Sequence, residues 1–500
     1  MNYEKILTEI KPTNEESEIV HEIATEAIDY IDKISKKEDI NVKTILVGSI
    51  AKDTWLSGNS DIDIFMCFPL NTDLSYLKEK GLFLGYECSK YMNGEAHEHY
   101  ASHPYLTSHI NGYDVDFVPC YNINHAEELK SAVDRTILHT NYIKKHLKDT
   151  QKNEVLLLKK FMSEVGTYGS EFKIGGFAGY LCEILILRYK TFEETLKAAS
   201  NWKNKTIIDL EEYGTANLFS DSLIAIDPTD KNRNVGAALR KEKVAEFIIA
   251  SRNFLNAEDK KKIEYFKNIK RKIKGNNIKE QFKDIIKQFK DRKTKIITIS
   301  FDIPDVSSDS LHPQLKKTQQ SITEKLEDNE FSVFKSDYWT DEENIGIFIF
   351  ELNVYKQNKY YIHEGPKIWD KQAVENFLVA HNTNNINSNN INTNNTNSNN
   401  TNNFYNDDNS YYIIEDTIVL NKQREFKTAK EFIKSVLTEE NIHVIKVGKN
   451  IKDLIISSYK INNIKKLLKD KDLGENNLNE NPDFLNFLDD FLNPGQLLKR

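Results

Sequence analysis

The 500-residue chain has no run of eighteen apolar residues, which excludes a spanning helix. Its opening residues, MNYEKILTEIKP, lack the apolar core of a secretory leader. A cytoplasmic protein with no membrane contact is therefore expected. Cysteine is scarce. Cys67, Cys88, Cys120 and Cys182 are scattered, and none has zinc-ligand spacing. Buried, reduced thiols are expected, as suits a reducing compartment. Positive charge is in deficit overall, with a formal net charge of −8. A polyanionic partner would therefore need a concentrated basic surface. Lys260 to Lys295 offers one, with Lys270, Arg271, Lys272 and Arg292 among its cations. It reads either as a solvated helix face or as a surface that tracks phosphates. Residues 382–403 are almost purely Asn, Thr, Ser and Ile. Such a tract has too few apolar side chains for a core, and a disordered insertion is expected.

What the chain does have is length for three or four domains and, at residues 47–69, the segment VGSIAKDTWLSGNSDIDIFMCFP. A short apolar run, Thr44 to Val47, ends in Gly48-Ser49. A turn there offers backbone N–H donors to a phosphate. A second strand is expected over Ser60 to Phe68. Alternation puts Asp61 and Asp63 on one face and Ile62 and Ile64 in the core. Two carboxylates side by side repel unless a cation lies between them. Hard divalent ions such as Mg²⁺ take oxygen ligands and share them with substrate phosphates. A two-metal site needs a further carboxylate. The strand-like segment Ile110 to Tyr121, INGYDVDFVPCY, offers Asp114 and Asp116 on one face, and periodicity does not choose between them.

The coarse organisation is α+β. Residues 1–142 read as an α/β head, with helices near 14–36 and 73–90 and strands near 106–111 and 113–119. Residues 143–258 read as mainly helical, including an amphipathic helix over Glu154 to Val165 and a buried one over Phe177 to Tyr189. Residues 259–500 read as a basic connector followed by a β-α-β-β platform: strand KIITISFDI, helix Ser310 to Asn329, and strands Phe331 to Lys335 and Asn344 to Tyr355. Helices follow at Gln372 to Ala380, Thr428 to Leu437 and Ile451 to Tyr459. An apolar cluster over Asn481 to Leu498 is expected to dock or mediate contacts.

Gly48-Ser49-x-Ala51-Lys52-x-Thr54-Trp55-Leu56-x-Gly58 followed by Asp61-x-Asp63 resembles the nucleotidyltransferase signature of the polymerase-β superfamily. The longer pattern is similar to the archaeal (class I) CCA-adding enzymes. The resemblance continues through Leu158 to Phe161, Gly166 to Glu171, Gly176 to Glu183 and Asp227 to Val235, with Pro313-Gln314-Leu315 and Gly365-Pro366 beyond. It implies a polymerase-β-like head, a helical neck and a C-terminal α+β body and tail. It also implies untemplated addition of the 3′-terminal CCA of tRNA from CTP and ATP. By resemblance Asp61, Asp63 and Asp116 hold two Mg²⁺ ions, with Asp61 standing where many relatives have Glu. Ser49 and Lys52 grip the triphosphate, and His139, Lys159 and Tyr168 contact the nucleotide. Arg233 helps read the base. The family also suggests a homodimer.

Two other readings share the head signature: another RNA nucleotidyltransferase such as a poly(A) polymerase, and a non-catalytic RNA-binding relative. The neck and C-terminal landmarks oppose the first, and the intact Ser49, Asp61, Asp63 and Asp116 oppose the second. Deleting residues 382–403 is expected to leave nucleotide addition and melting temperature nearly unchanged, because a polar surface spacer buries little. A large loss of tRNA affinity on deletion overturns the spacer reading.

Overall fold

A computed structural model describes residues 2–58, 61–100, 104–267, 278–381, 411–468, 478 and 480–498. The asparagine-rich tract lies outside the described residues, as do Lys270, Arg271 and Lys272. Two compact units divide the chain. One comprises Met1–Lys272, Val306–His312 and Asn493–Arg500, and the other Ile273–Asp305 and Pro313–Leu492.

The first unit opens on the helix Glu4–Ile10 and the long helix Asn14–Lys37. The long helix starts where the Thr13 hydroxyl accepts from the Glu16 N–H at 3.0 Å. Acidic residues follow in its first turn and lysines close its last, the arrangement a helix dipole favours. Its buried stripe of Val20, Ile23, Ala24, Ala27, Ile31 and Ile34 covers a five-stranded sheet. The strands are β1 (Lys43–Leu46), β2 (Ile62–Phe68), β3 (Glu95–Tyr100), β4 (Pro104–Ile110) and β5 (Tyr113–Tyr121), in the order β1-β2-β5-β4-β3. Only β2 and β5 pair in parallel; the other neighbours are antiparallel. The parallel pair needs a crossover, which the helix Leu74–Tyr91 begins and the β3–β4 hairpin completes.

Strand β2 is buried on both faces. Ile62, Ile64, Met66 and Phe68 join the core beneath the helices, while Phe65 and Cys67 pack with Val47, Val118, Cys120 and Ile137 on the other side. Asp63 shares the second face at the open end of the strand. The strand starts two residues later than expected: Asp61 precedes β2, and Ser60 lies outside the described residues. Strand β3 was not anticipated, because EAHEHY is polar and lacks alternation; it forms as an edge strand on β4. All four cysteines are buried and free, as expected.

Helices Asp149–Glu164, Gly179–Tyr189, Phe192–Ala199 and Lys241–Asn256 share a second core in the same unit. Phe161, Phe177, Phe192, Phe247 and Phe254 meet there in edge and tilted contacts. A small sheet of β6 (Thr206–Ile208), β7 (Leu223–Asp227) and β8 (Asp230–Asn234) belongs to this region.

In the second unit four antiparallel strands run in the order β10 (Val333–Thr340), β11 (Ile345–Leu352), β9 (Lys295–Asp302) and β15 (Lys460–Asn462). The expected platform is present, with β10 longer than the apolar pattern suggested and β15 added from far along the chain. A three-stranded sheet places β14 (Thr417–Gln423) between β12 (Tyr360–Lys367) and β13 (Tyr411–Ile414). The C-terminal apolar cluster is core: Phe484, Leu485, Leu488, Phe491 and Leu492 of helix Pro482–Leu492 pack with Ile285 and Phe289 of helix Ile278–Asp291.

That packing revises the basic stretch. Helix Ile278–Asp291 buries one face, and Lys283, Lys287 and Lys290 occupy the other. Arg292 is structural: its Nε and Nη2 donate to the Glu351 Oε1 and Oε2 at 2.7 and 3.0 Å. Glu351 is fully buried in β11, and the Thr294 hydroxyl also donates to it. Arg292→Ala would leave that carboxylate with one hydrogen bond, a loss of about 2 kcal/mol or more. A clear fall in melting temperature is expected for Arg292→Ala and almost none for the exposed Lys290→Ala; equal, small effects overturn the assignment.

Candidate active site

The site starts from one turn. After β1, Gly48 adopts φ +72°, a conformation that favours glycine. A Cβ there would stand 1.9 Å from Asp63 Oδ2. The missing side chain thus lets the β2 carboxylate lie against the turn. The Asp63 carbonyl accepts from the Val47 N–H at 3.0 Å, which ties turn and strand together. A 3₁₀ turn, Ile50–Lys52, follows Ser49.

Register does the rest. Asp63 pairs directly with Asp116 across the parallel strands. Thr107, opposite Asp116 on β4, donates its hydroxyl to Asp116 Oδ1 at 2.5 Å. Asp114 is more exposed and faces His109 Nδ1 at 2.9 Å. Burial, together with repulsion from Asp116 and Asp61, pushes the Asp63 carboxyl up to about 7. Burial also raises Asp116, and burial and Asp114 raise Asp61. Such a set is short of positive charge. Among the described residues no three His, Cys, Asp or Glu side chains converge into a finished metal cage. Asp116 is turned towards Thr107 and Asp114 towards His109. The donor chemistry nonetheless suits a hard cation: all-oxygen ligands and clustered negative charge.

A cavity of about 660 Å³ opens beside the turn. Ser49, Asp61, Asp63, Asp114, Lys159 and Tyr168 are among the residues that line it. Lys159 comes from helix Asp149–Glu164, and Tyr168 from the loop after it. A Cβ on Gly179 would stand 3.2 Å from the Tyr168 hydroxyl and 3.4 Å from Lys159 Nζ, so that glycine leaves room for both groups.

Lys52 and Lys159 are both buried, and Glu183 joins them. Lys52 Nζ donates to Glu183 Oε2 at 2.7 Å, and the Thr54 hydroxyl donates to Oε1 at 2.6 Å. Lys159 Nζ lies 3.9 Å from Oε1 and donates to the Thr54 carbonyl at 2.7 Å. Burial works to raise the Glu183 carboxyl, but the two ammonium groups and the hydrogen bonds hold it below the usual value. Burial and the neighbouring Lys52 lower Lys159. Two cations against one anion leave one positive charge at the edge of the acidic cavity.

His139 and Arg233 form a separate group around Asp227. His139 Nε2 and Arg233 Nη1 both lie 2.8 Å from Asp227 Oδ2. The Tyr180 ring stacks on His139 at 3.8 Å, and Lys52 Nζ lies 6.0 Å from the centre of that ring. Tyr180 therefore links the two groups. Glu183, Asp227 and Tyr180 had no assigned role from sequence. Their signal was present: Glu183 interrupts the apolar helix GYLCEILILRY, and Asp227 ends the apolar strand LIAID. A charge in such a setting requires partners.

Residues 28–139 match the family model described as a nucleotidyltransferase domain. Residues 153–267 match that of the tRNA nucleotidyltransferase second domain. The sheet, turn and paired carboxylates thus sit in a nucleotidyltransferase. Residues 292–463 match the CCA-adding enzyme C-terminal domain. The chain is 40% identical over 499 residues to the CCA-adding enzyme of Methanothermobacter thermautotrophicus, covering 100% of this chain and 99% of that one. It is 38% identical over 384 residues to the CCA-adding enzyme of Methanocaldococcus jannaschii, covering 75% and 82% of the two. The chain belongs to the CCA-adding enzyme family. Among solved structures, the Cid1 poly (U) polymerase is similar at 14% identity and TM-score 0.41 over 53% of this chain and 96% of that one. No helix among the described residues is long and apolar enough to cross a membrane.

The raised Asp63 carboxyl has a sign. Its contribution to stability is fully present below the ordinary carboxylate range and is lost as pH rises through about 7. The melting temperature of metal-free protein should therefore fall across that window. Asp63→Asn should flatten the fall while abolishing nucleotide addition. An equal fall in the variant shows that Asp63 is not the titrating group.

Proposed function

We propose that the protein completes the 3′ end of tRNA, adding C, C and A from CTP and ATP without a nucleic-acid template. The observation that carries this reading is the register pair Asp63–Asp116 beside the Gly48-Ser49 turn, in a chain collinear over its whole length with a CCA-adding relative. In this reading residues 1–142 form the catalytic head, residues 143–258 a neck that contacts base and phosphate, and residues 259–500 the connector, body and tail that bind tRNA.

Asp61, Asp63 and Asp116 would hold two divalent ions, and Mg²⁺ fits an all-oxygen site shared with phosphates. When bound, such ions acidify the attacking 3′-hydroxyl and stabilise the departing pyrophosphate. The chain's own residues do the rest. Ser49 and its backbone amide hold triphosphate oxygens at the mouth of the turn. Lys159 and Tyr168 face the same cavity and direct the phosphate chain. Lys52 supplies charge from behind, oriented by Glu183. Transfer needs the hydroxyl, α-phosphate and leaving group in line, so holding the triphosphate rigid is itself catalytic. His139 and Arg233 then face the sugar and base. The quaternary state in this reading is a homodimer, which sedimentation of the purified chain tests.

The decisive assay supplies tRNA lacking its CCA with Mg²⁺ and, separately or together, CTP, ATP, UTP and GTP. Addition of two C residues and then one A, with no further growth, is expected. A long homopolymer, or incorporation of any nucleotide without a stop, overturns the reading. Lys159→Ala is expected to raise KM for both CTP and ATP about tenfold or more, because it removes a charged hydrogen-bond donor.

A further inference from the structure

Asp227 closes β7, a strand buried at every position. Its carboxylate has five donors. Oδ2 takes His139 Nε2 and Arg233 Nη1, each at 2.8 Å. Oδ1 accepts from the Thr229 N–H at 2.9 Å, the Thr229 hydroxyl at 2.8 Å and the Tyr180 hydroxyl at 3.2 Å. A carboxylate offers about four acceptor sites, so this one is saturated. The group is wholly buried, which would raise it, yet His139, Thr229 and Arg233 together hold it well below the ordinary range. It stays an anion, and an anion at this place dictates how its neighbours stand.

For His139 the consequence is a tautomer. A carboxylate only accepts, so Nε2 carries the hydrogen. Burial works against the imidazolium form, and in the neutral ring an Nε2 hydrogen on Asp227 leaves Nδ1 as the acceptor. The ring is also clamped flat on Tyr180, with 14° between the planes. For Arg233 the consequence is orientation. Nη1 is committed to Asp227, while the side chain keeps 34% of its exposure. The guanidinium plane is therefore fixed while part of it remains open. Arg135, on the helix that carries His139, lies 3.5 Å from Asp230 Oδ2 on β8. The helix and the β7–β8 hairpin are thus joined twice.

We propose that Asp227 is a positioning residue that sets nucleotide selectivity by locking the Arg233 plane and the His139 tautomer into one donor and acceptor pattern. The inference rests on the proposed reading of His139 and Arg233 as nucleotide contacts. Asp227 itself touches no substrate. Discrimination between pyrimidines that differ in one edge, such as C and U, requires that the reading groups not rotate to suit the wrong base. Two donors held by one buried anion meet that requirement. A free Arg side chain, with several rotatable bonds, does not.

The test uses the full chain with Mg²⁺ and tRNA lacking its CCA, and measures kcat/KM for CTP and for UTP. Asp227→Asn keeps the shape but turns one acceptor into a donor, so Arg233 or His139 loses its anchor. The CTP-to-UTP ratio is expected to fall about tenfold or more, mostly through KM for CTP, as loss of a charged hydrogen bond warrants. The double variant Asp227→Asn, Arg233→Lys should lose less selectivity than the product of the two single losses, because Asp227 acts in part through Arg233. Tyr180→Phe removes one donor to Asp227 and keeps the stacked ring; a fall of a few-fold in the same ratio is expected, with melting temperature unchanged. A folded Asp227→Asn protein with wild-type selectivity overturns the proposal, and so does a double variant in which the two losses multiply. Should Asp227→Asn fail to fold, an unchanged ratio in Tyr180→Phe overturns it. Wild-type protein that adds no CCA refutes the proposed function; wild type that adds CCA beside an equally selective Asp227→Asn variant refutes this inference alone.

Discussion

The candidate active site depends on one pairing: Asp63 opposite Asp116 on parallel neighbouring strands. Two half-buried carboxylates so placed repel, and no packing arrangement removes that repulsion. The sheet imposes it because both strands beyond their acidic ends are apolar on both faces and slide only at great cost. A shift of one residue would turn Ile62 and Ile64 outward and bring Asp63 into the core. Hydrophobic burial along β2 and β5 therefore supplies the force that holds the acidic pair together. The parallel relation also explains the long excursion between them. It cannot be closed by a hairpin, so a helix and two further strands complete the crossover. One of those strands brings Thr107 to Asp116.

Behind the carboxylates, two buried anions organise the cationic and aromatic groups. Glu183 gathers Lys52, Thr54 and Lys159; Asp227 gathers His139, Arg233, Tyr180 and Thr229. Buried ion clusters of this kind contribute little net stability, since desolvation offsets most of the attraction. Their effect is on geometry. Long side chains that would otherwise sample many rotamers are confined, and their entropy is lost on folding rather than at the moment a nucleotide arrives. The ring of Tyr180 lies between the two groups, so the Glu183 and Asp227 clusters share a wall.

Much of this was legible beforehand. The Gly48-Ser49 turn, the alternation around Asp61 and Asp63 and the two isoleucines beneath them follow from local rules of strand and turn geometry. The buried helix from Gly179 to Tyr189 and the β-α-β-β pattern after Lys295 were equally visible, because apolar periodicity reports burial directly. Edge strand β3 was not, since a polar strand at a sheet margin has no such signature. Nor was the division of the basic stretch, in which Arg292 serves Glu351 from fifty-nine positions away.

The chain's own pattern of residues thus decided the class of fold, the turn, the strand faces and the supply of carboxylates, because each depends on neighbours within a few positions. It left Asp114 and Asp116 equivalent, since both share one face. Register settled their positions: Asp116 stands opposite Asp63, and Asp114 is paired with His109 nearer solvent. The partners of Lys52, Lys159 and His139 were also beyond local reading. Glu183 and Asp227 come from helices and strands up to 131 positions away, and only the folding of apolar surfaces against one another brings such distant charges within hydrogen-bonding reach.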